Sequence, residues 1–245
     1  MITQAEIKFI KSLSQKKFRD ESGLFVAEGE KLVAEALASR FQVEKVFRKE
    51  EIGEATMARI SGLSSPSPVL ALVHRPADLL SGAKLPAKGL FLALDGIRDP
   101  GNLGTILRIA DWFGIDAVFA SPDTVDVFNP KVVQATMGAI FRVKFHYCDI
   151  PSLCKDALKA GGKVYGTFLD GSNMYKKQLD NGQQHPSIIV IGNEANGISA
   201  ATGACVSDRL YIPPYPAGEP GSESLNAAVA TAVTVAEFRR LLNLD

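Results

Sequence analysis

Three short segments of the chain hold residue types that could do chemistry. The first, "DGIRDPGNLGTILRIADWFG" at 95–114, reads as a strand end, a turn and a helix. Leu103, Ile106, Leu107, Ala110 and Phe113 follow the spacing of a buried helix face. Arg108 falls roughly opposite, one turn above Gly104, which has no side chain to obstruct it. The bland alternative is a solvated arginine paired with Asp111 at i+3, worth roughly 0.2–0.5 kcal/mol. The second segment, "IGNEANGIS" at 191–199, is an apolar strand ending in a polar loop bracketed by glycines, with Glu194 as its only acid. The third, "IPPYPAGEPGSESLNAAVA" at 212–230, leaves a strand through prolines and enters a helix at Ser224, Leu225 and Asn226. Asp95, Asp99 and Glu194 are of the type used in acid–base catalysis, although spacing alone sets no distance between them. Asn102 is expected to cap its helix, worth about 1 kcal/mol.

Familiar chemistries are absent from the sequence. No G-x-x-x-x-G-K-[ST] is present, no G-x-G-x-x-G opens a helix after the first strand of the second domain, and no G-x-S-x-G elbow or H-E-x-x-H occurs. Cys148, Cys154 and Cys205 are odd in number and lack C-x-x-C spacing, which argues against a disulfide framework or a zinc site. His74, His146 and His185 are scattered without metal-ligand spacing, so no metal is expected. The composition, 46% hydrophobic and 22% charged with zero net charge, is that of an ordinary soluble protein without a global basic field. No apolar run approaches the ~20 residues of a membrane span, and 2–10 is too charged for a signal-peptide core, so a cytoplasmic location without membrane is expected.

The elements that must position these segments form two blocks. Residues 1–78 read as a small α/β domain: Thr3 and Glu6 have capping-box spacing before a helix carrying Ile7, Ile10 and Leu13. Strands follow at 24–29, 43–47 and 69–73, with helices at 30–39 and near 53–61. Residues 79–89, rich in glycine, proline and lysine, are the expected linker. From 90 to 245, short apolar strands ("LFLAL", "DAVFA", "VKFHY", "KVYGTFL", "SIIVIG", "RLYI") alternate with helices at 102–113, 130–141, 151–160, 198–205 and 224–243. That alternation means an α/β domain with a mostly parallel sheet and helices on both faces. Ligands in such sheets bind beyond the carboxyl ends of the strands, where all three segments lie.

In this order and at these places, N-x-G-x-x-x-R-x-A from Asn102, "IGNEANGIS" and the Ile-Pro…Ser-Leu-Asn segment resemble the three motifs of the SpoU (TrmH-like) family of SPOUT RNA methyltransferases. The resemblance covers 90–245, and the N-terminal block with "FVAEGEKLVAEAL" resembles the small L30e-like RNA-binding domain that often precedes it. It implies a parallel sheet with a C-terminal trefoil knot, S-adenosylmethionine as cofactor, and methylation of an RNA ribose 2′-hydroxyl, on ribosomal RNA first and transfer RNA second. It also implies a homodimer. By motif position Thr167, Gly192, Ile212 and Leu225 would hold the cofactor, and the 213–223 loop is longer than in many relatives. Arg108, Asn102, Glu194, Ser224 and Asn226 would be catalytic. A guanidinium is a poor base near neutrality, so Arg108 is better suited to clamp a substrate phosphate and polarise the hydroxyl.

Basic residues at 8–19 (Lys8, Lys11, Lys16, Lys17, Arg19) and Arg142 with Lys144 are candidate RNA contacts. The last helix, with Leu225, Ala228, Val229, Ala232, Val233 and Phe238 apolar and Val235 and Leu241 off that stripe, is broad enough for a dimer interface, with the N-terminal domains free to swing on the linker. The rival expectation is a non-catalytic RNA-binding or ribosome-assembly factor that retains the fold.

Overall fold

Thr3 accepts from the Glu6 amide while the Glu6 carboxylate accepts from the Thr3 amide, so the expected capping box starts the first helix, α1 (Gln4–Ser12). The computed structural model describes residues 2–76, 84–216 and 223–240. Part of the expected linker, much of the 213–223 loop, and Leu241 lie outside the described residues. The chain divides into two compact units: Met1–Ala77 with Asp126–Arg142, and Asp78–Val125 with Val143–Asp245.

In the first unit α1 is followed by α2 (Lys16–Ser22), β1 (Leu24–Glu28), α3 (Glu30–Ala38), β2 (Val43–Arg48), α4 (Lys49–Ile52), α5 (Glu54–Ile60) and β3 (Val69–His74). The strands form an antiparallel sheet in the order β1-β3-β2. Ile7, Ile10 and Leu13 enter its core with Phe47, Met57, Ile60, Leu70 and Leu72. Part of this unit comes from far along the chain. Phe128 packs on Phe25 at 4.8 Å between ring centroids with the planes tilted by 40°, and Phe141 meets Phe41 edge-on at 5.1 Å. Residues 126–142, which the alternation assigns to the parallel-sheet domain, therefore pack with the N-terminal unit. The helix expected at 130–141 is α7 (Pro130–Thr136) plus a 3-10 turn at Ala139–Phe141, broken by left-handed Met137 and Gly138. The chain passes between the units three times, so they are not joined by a single linker.

Arg19 is a second surprise. It is buried, donates to the Leu13 and Ser14 carbonyls, and is paired with Asp126 at 2.5 Å. Only 2% of it is exposed, so it is not part of a basic RNA-facing patch. Arg142 is likewise paired, with Glu35. Lys8, Lys11, Lys16, Lys17 and Lys144 are exposed.

The second unit contains β4 (Gly89–Asp95), α6 (Pro100–Trp112), β5 (Ala117–Ala120), β6 (Phe145–Tyr147), α8 (Ile150–Lys159), β7 (Lys163–Asn173), β8 (Pro186–Gly192), α9 (Ala200–Gly203), β9 (Asp208–Tyr211) and α10 (Ala227–Arg240). All six strands are parallel, in the order β6-β5-β4-β8-β7-β9. One face buries Phe91, Ala93, Phe119, Val164, Ile188 and Val190 against α8. On α10, Phe238 packs edge-on to Tyr165 at 4.9 Å. Cys148, Cys154 and Cys205 gather around the α8 face as free thiols, and burial pushes Cys148 up to about 11 and Cys154 up to about 12.

The last helix divides its broad apolar girdle between core and surface. Ala227, Ala228, Thr231, Thr234, Val235, Glu237 and Phe238 face inward. Leu225 and Val229 are each 48% exposed, and Ala232, Val233 and Ala236 are partly so. Two of the inward residues satisfy themselves locally: Thr231 bonds the Ala227 carbonyl and Glu237 pairs with Arg240. That local satisfaction lets polar side chains occupy a buried face and turns an apolar stripe to the surface.

Candidate active site

The first crossover from β4 leads through α6 to β5 on one side; that from β8 leads through α9 to β9 on the other. Adjacent strands whose connections diverge leave a crevice at their carboxyl ends, the usual ligand position in a parallel sheet. Asp95 and Gly192 lie side by side at those ends.

Helix α6 begins with Asp99, not Asn102, as its cap: the Asp99 side chain accepts from the Asn102 amide at 2.7 Å, and Pro100 occupies the first turn. "D-P-G-N" carries this signal, since proline suits the first helical position. Relieved of capping, the Asn102 side chain turns outward. Its Nδ2 donates to Glu194 Oε1 at 2.7 Å and its Oδ1 accepts from Asn226 Nδ2 at 2.9 Å. Asn226 in turn uses Oδ1 to accept from the amides of Ala228 and Val229, so it caps α10.

These bonds fix one another's direction. The α10 amides can only donate, so Asn226 must present its NH₂ to Asn102. Asn102 must then present its own NH₂ to the carboxylate. One residue from each of the three segments is thereby joined into a single relay, from a helix terminus to an acid.

Helices α6 and α10 run side by side and are pinned at their other ends too. Arg239 donates from Nε to the Phe113 carbonyl at 2.8 Å and from Nη2 to the Gly114 carbonyl at 2.5 Å, placing a cation where α6 leaves carbonyls unpaired. Burial pulls the Arg239 guanidinium below its ordinary value. Sequence reading missed Arg239, because a basic residue in a last helical turn is commonplace.

Arg108 is exposed and, among the described residues, has no hydrogen bond or ion pair. The i+3 pairing with Asp111 is not formed. Gly104, one turn below, is buried, so it is covered by packing and is not an open gap beneath the arginine. The relay does not extend to Arg108. Ser224 is exposed ahead of α10 and also makes no hydrogen bond among the described residues.

For S-adenosylmethionine the test is whether Thr167, Gly192, Ile212 and Leu225 present a surface. Gly192 ends β8, Thr167 lies on the adjacent β7 opposite Leu210 of β9, and Ile212 follows β9 directly. Two strand ends and the middle of β7 between them, where its pairing with β8 stops, thus offer backbone groups beside half-buried side chains, and Leu225 is too exposed to be core. The arrangement fits a ligand with a flat apolar body and a hydrogen-bonding edge. A Cβ at Gly192 would lie 2.2 Å from the Gly197 carbonyl carbon and 2.3 Å from the Ile198 nitrogen. Gly192 makes room for its own loop.

A parallel six-stranded sheet flanked by helices, with this relay at its switch point, has the α/β fold of solved RNA methyltransferases, and comparison with known proteins places it among them. The model of the SpoU rRNA methylase family matches residues 89–236, and that of the MRM3-like substrate-binding domain matches 4–71. The chain belongs to the SpoU rRNA methylase family, whose cofactor is S-adenosylmethionine. It is 32% identical to the 23S rRNA (guanosine(2553)-2′-O)-methyltransferase RlmP of Bacillus subtilis, over 96% of each chain. A TrmH-family structure from Porphyromonas gingivalis is 38% identical, with a TM-score of 0.84 over 98% of this chain and 99% of that one. An AdoMet-bound rRNA methyltransferase from Sinorhizobium meliloti is 30% identical, with a TM-score of 0.81 over 99% and 97%.

Proposed function

We propose that the chain methylates a ribose 2′-hydroxyl of ribosomal RNA in the cytoplasm, with Thr167, Gly192, Ile212 and Leu225 at the cofactor. The observation that carries this reading is the Asn226–Asn102–Glu194 relay, with Arg108 exposed on the same helix as Asn102 and without a hydrogen bond or ion pair among the described residues. When bound, S-adenosylmethionine supplies an already activated methyl group, so the protein's tasks are alignment and removal of one proton. Arg108, with five donors and no partner among the described residues, clamps the phosphate next to the target ribose and polarises the hydroxyl. The relay holds the Glu194 carboxylate and the start of α10, including Ser224 and Asn226, in fixed relation to α6. Alignment of two reactants supplies several kcal/mol, up to about 7–11 in ideal cases.

The N-terminal unit adds affinity through the exposed cations Lys8 and Lys11, with Lys16 and Lys17, which pair with Asp20 and Glu21, able to exchange those carboxylates for phosphates. The knot belongs to the same proposal; the passage from β9 to α10 includes 217–222, outside the described residues. We also propose a two-fold dimer. Leu225, Val229, Ala232, Val233 and Ala236 form a surface stripe at coiled-coil-like spacing, and Trp112 on the neighbouring helix is 85% exposed.

Mapping ribose methylation across total RNA with and without the protein tests the reading: one site that disappears with the protein is expected, and an unchanged map overturns it. Absence of S-adenosylmethionine binding at micromolar concentrations by calorimetry would instead favour a non-catalytic RNA-binding factor.

A further inference from the structure

Glu194 sits at the tip of an exposed loop on a side chain with three rotatable bonds, yet its carboxylate meets Asn102 at hydrogen-bond distance. Left free, such a side chain loses conformational entropy on being held. Its immediate neighbour supplies the restraint. Asn193 uses every polar group it has. Its amide nitrogen donates to the Gly197 carbonyl, and its own carbonyl accepts from the Gly197 amide, both at 2.9 Å. Its Oδ1 accepts from the amides of Ala195 at 2.9 Å and Asn196 at 3.2 Å. Its Nδ2 donates to the Gly96 carbonyl at 2.6 Å, in the loop that leads from β4 into α6.

The last bond ties the Glu194 loop to the loop that leads into α6, whose first turn carries Asn102. The Gly96 anchor is itself braced: its amide donates to Ser121 Oγ at 2.8 Å, and Ser121 Oγ donates to Asp123 Oδ1 at 2.6 Å. On the far side of the loop the Ser199 amide donates to Asp95 Oδ2 at 2.8 Å, again on the β4 exit. Glu194 is therefore carried by a loop fastened on both sides to one strand end, and the fastener adjoining it is a side chain.

We infer that Asn193 is a positioning residue for methyl transfer: it holds the Glu194 carboxylate in register with Asn102 without touching substrate. This rests on the proposed methyltransferase function, so the test has two independent readouts. Asn193→Asp keeps the acceptor for the two loop amides and replaces the donor facing Gly96 with a second acceptor. In ¹⁵N-labelled protein the Asn102 side-chain NH₂ resonance should move as it does in Glu194→Ala, with an unchanged melting temperature. In the transfer assay kcat should fall about 10- to 100-fold, the cost of a small misplacement of reacting groups, while the Kd for S-adenosylmethionine is retained. In a Glu194→Ala background Asn193→Asp should add less than about twofold, because the two act as one unit.

An unmoved Asn102 resonance in folded protein, or losses that multiply in the double variant, overturns the inference. Should Asn193→Asp fail to fold, Asn193→Ser retains an acceptor for the loop amides, drops the link to Gly96, and is read in the same way. If wild-type protein transfers no methyl group, the functional reading fails, and the resonance of Asn102 still decides whether Asn193 positions Glu194.

Discussion

Asn102 is both donor and acceptor because it is an amide, and an Asn102→Asp variant separates the two abilities at constant shape. The aspartate still accepts from Asn226 but turns an acceptor toward Glu194, whose carboxylate now lies 2.7 Å from the donor it would lose. Methyl transfer should fall at least about tenfold with little change in melting temperature. Glu194→Gln, read beside it, keeps a bond to Asn102 and loses only charge; comparable kcat in Glu194→Gln and wild type would show that alignment is all Glu194 contributes. Arg108→Ala should abolish transfer and shift stability by no more than about 0.5 kcal/mol, as for other exposed residues without partners. A loss the size of a core deletion in urea unfolding would make Arg108 structural. Three residues of the relay stand out in the sequence as polar groups in short motifs, but their mutual contacts do not, since Asn102 and Asn226 are far apart along the chain. The cap was misassigned for a related reason: Asp99 and Asn102 are both good capping residues, and only the fold frees one of them.

Elements make different demands on the same loop. Gly192→Ala would press a methyl group into the Gly197–Ile198 backbone, so it should cost about 1–3 kcal/mol and loosen the Glu194 loop whether or not ligand is present. A ligand titration on that variant alone cannot separate pocket from loop; hydrogen exchange at 193–199 can, and unchanged protection would contradict the close approach. The start of α1 gives a pH signature. Bonds from Lys45 and Thr3 hold the Glu6 carboxyl down to about 2. A depressed carboxyl stabilises the fold above its unfolded value near 4.5, and the contribution disappears as pH falls toward 2. Glu6→Gln should therefore flatten the decline in stability of the first unit across that window, monitored by α1 amide exchange. Strand and helix alternation is plain in the sequence because parallel strands are continuously apolar and short. The orientation of α10 is not, because Thr231 and Glu237 on its inward face are satisfied by bonds that periodicity does not register.

For the whole molecule, the dimer is tested by light scattering at micromolar concentration. A mass near twice 26.3 kDa is expected, and Val229→Asp on the surface stripe of α10 should convert it to monomer. An active monomer would overturn both the dimer and a shared site. The first unit makes its own demand. Asp126→Ala leaves buried Arg19 without its counter-charge and should cost about 3–5 kcal/mol, read as a lowered urea midpoint. Domain organisation is the part least legible in the sequence, because residues 126–142 look like one more helix of the α/β alternation until Phe128 and Phe141 are seen against Phe25 and Phe41.

That borrowed segment has a consequence during translation. The N-terminal unit emerges from the ribosome first, yet its aromatic layer and the partner of Arg19 are still unmade. At about 5–20 residues per second, the stretch from Pro76 to Arg142 takes roughly 3–13 s to synthesise. Through that interval the nascent chain must carry an exposed Phe25 and an unneutralised Arg19, so the part that is born first is finished only after the first strands of its successor.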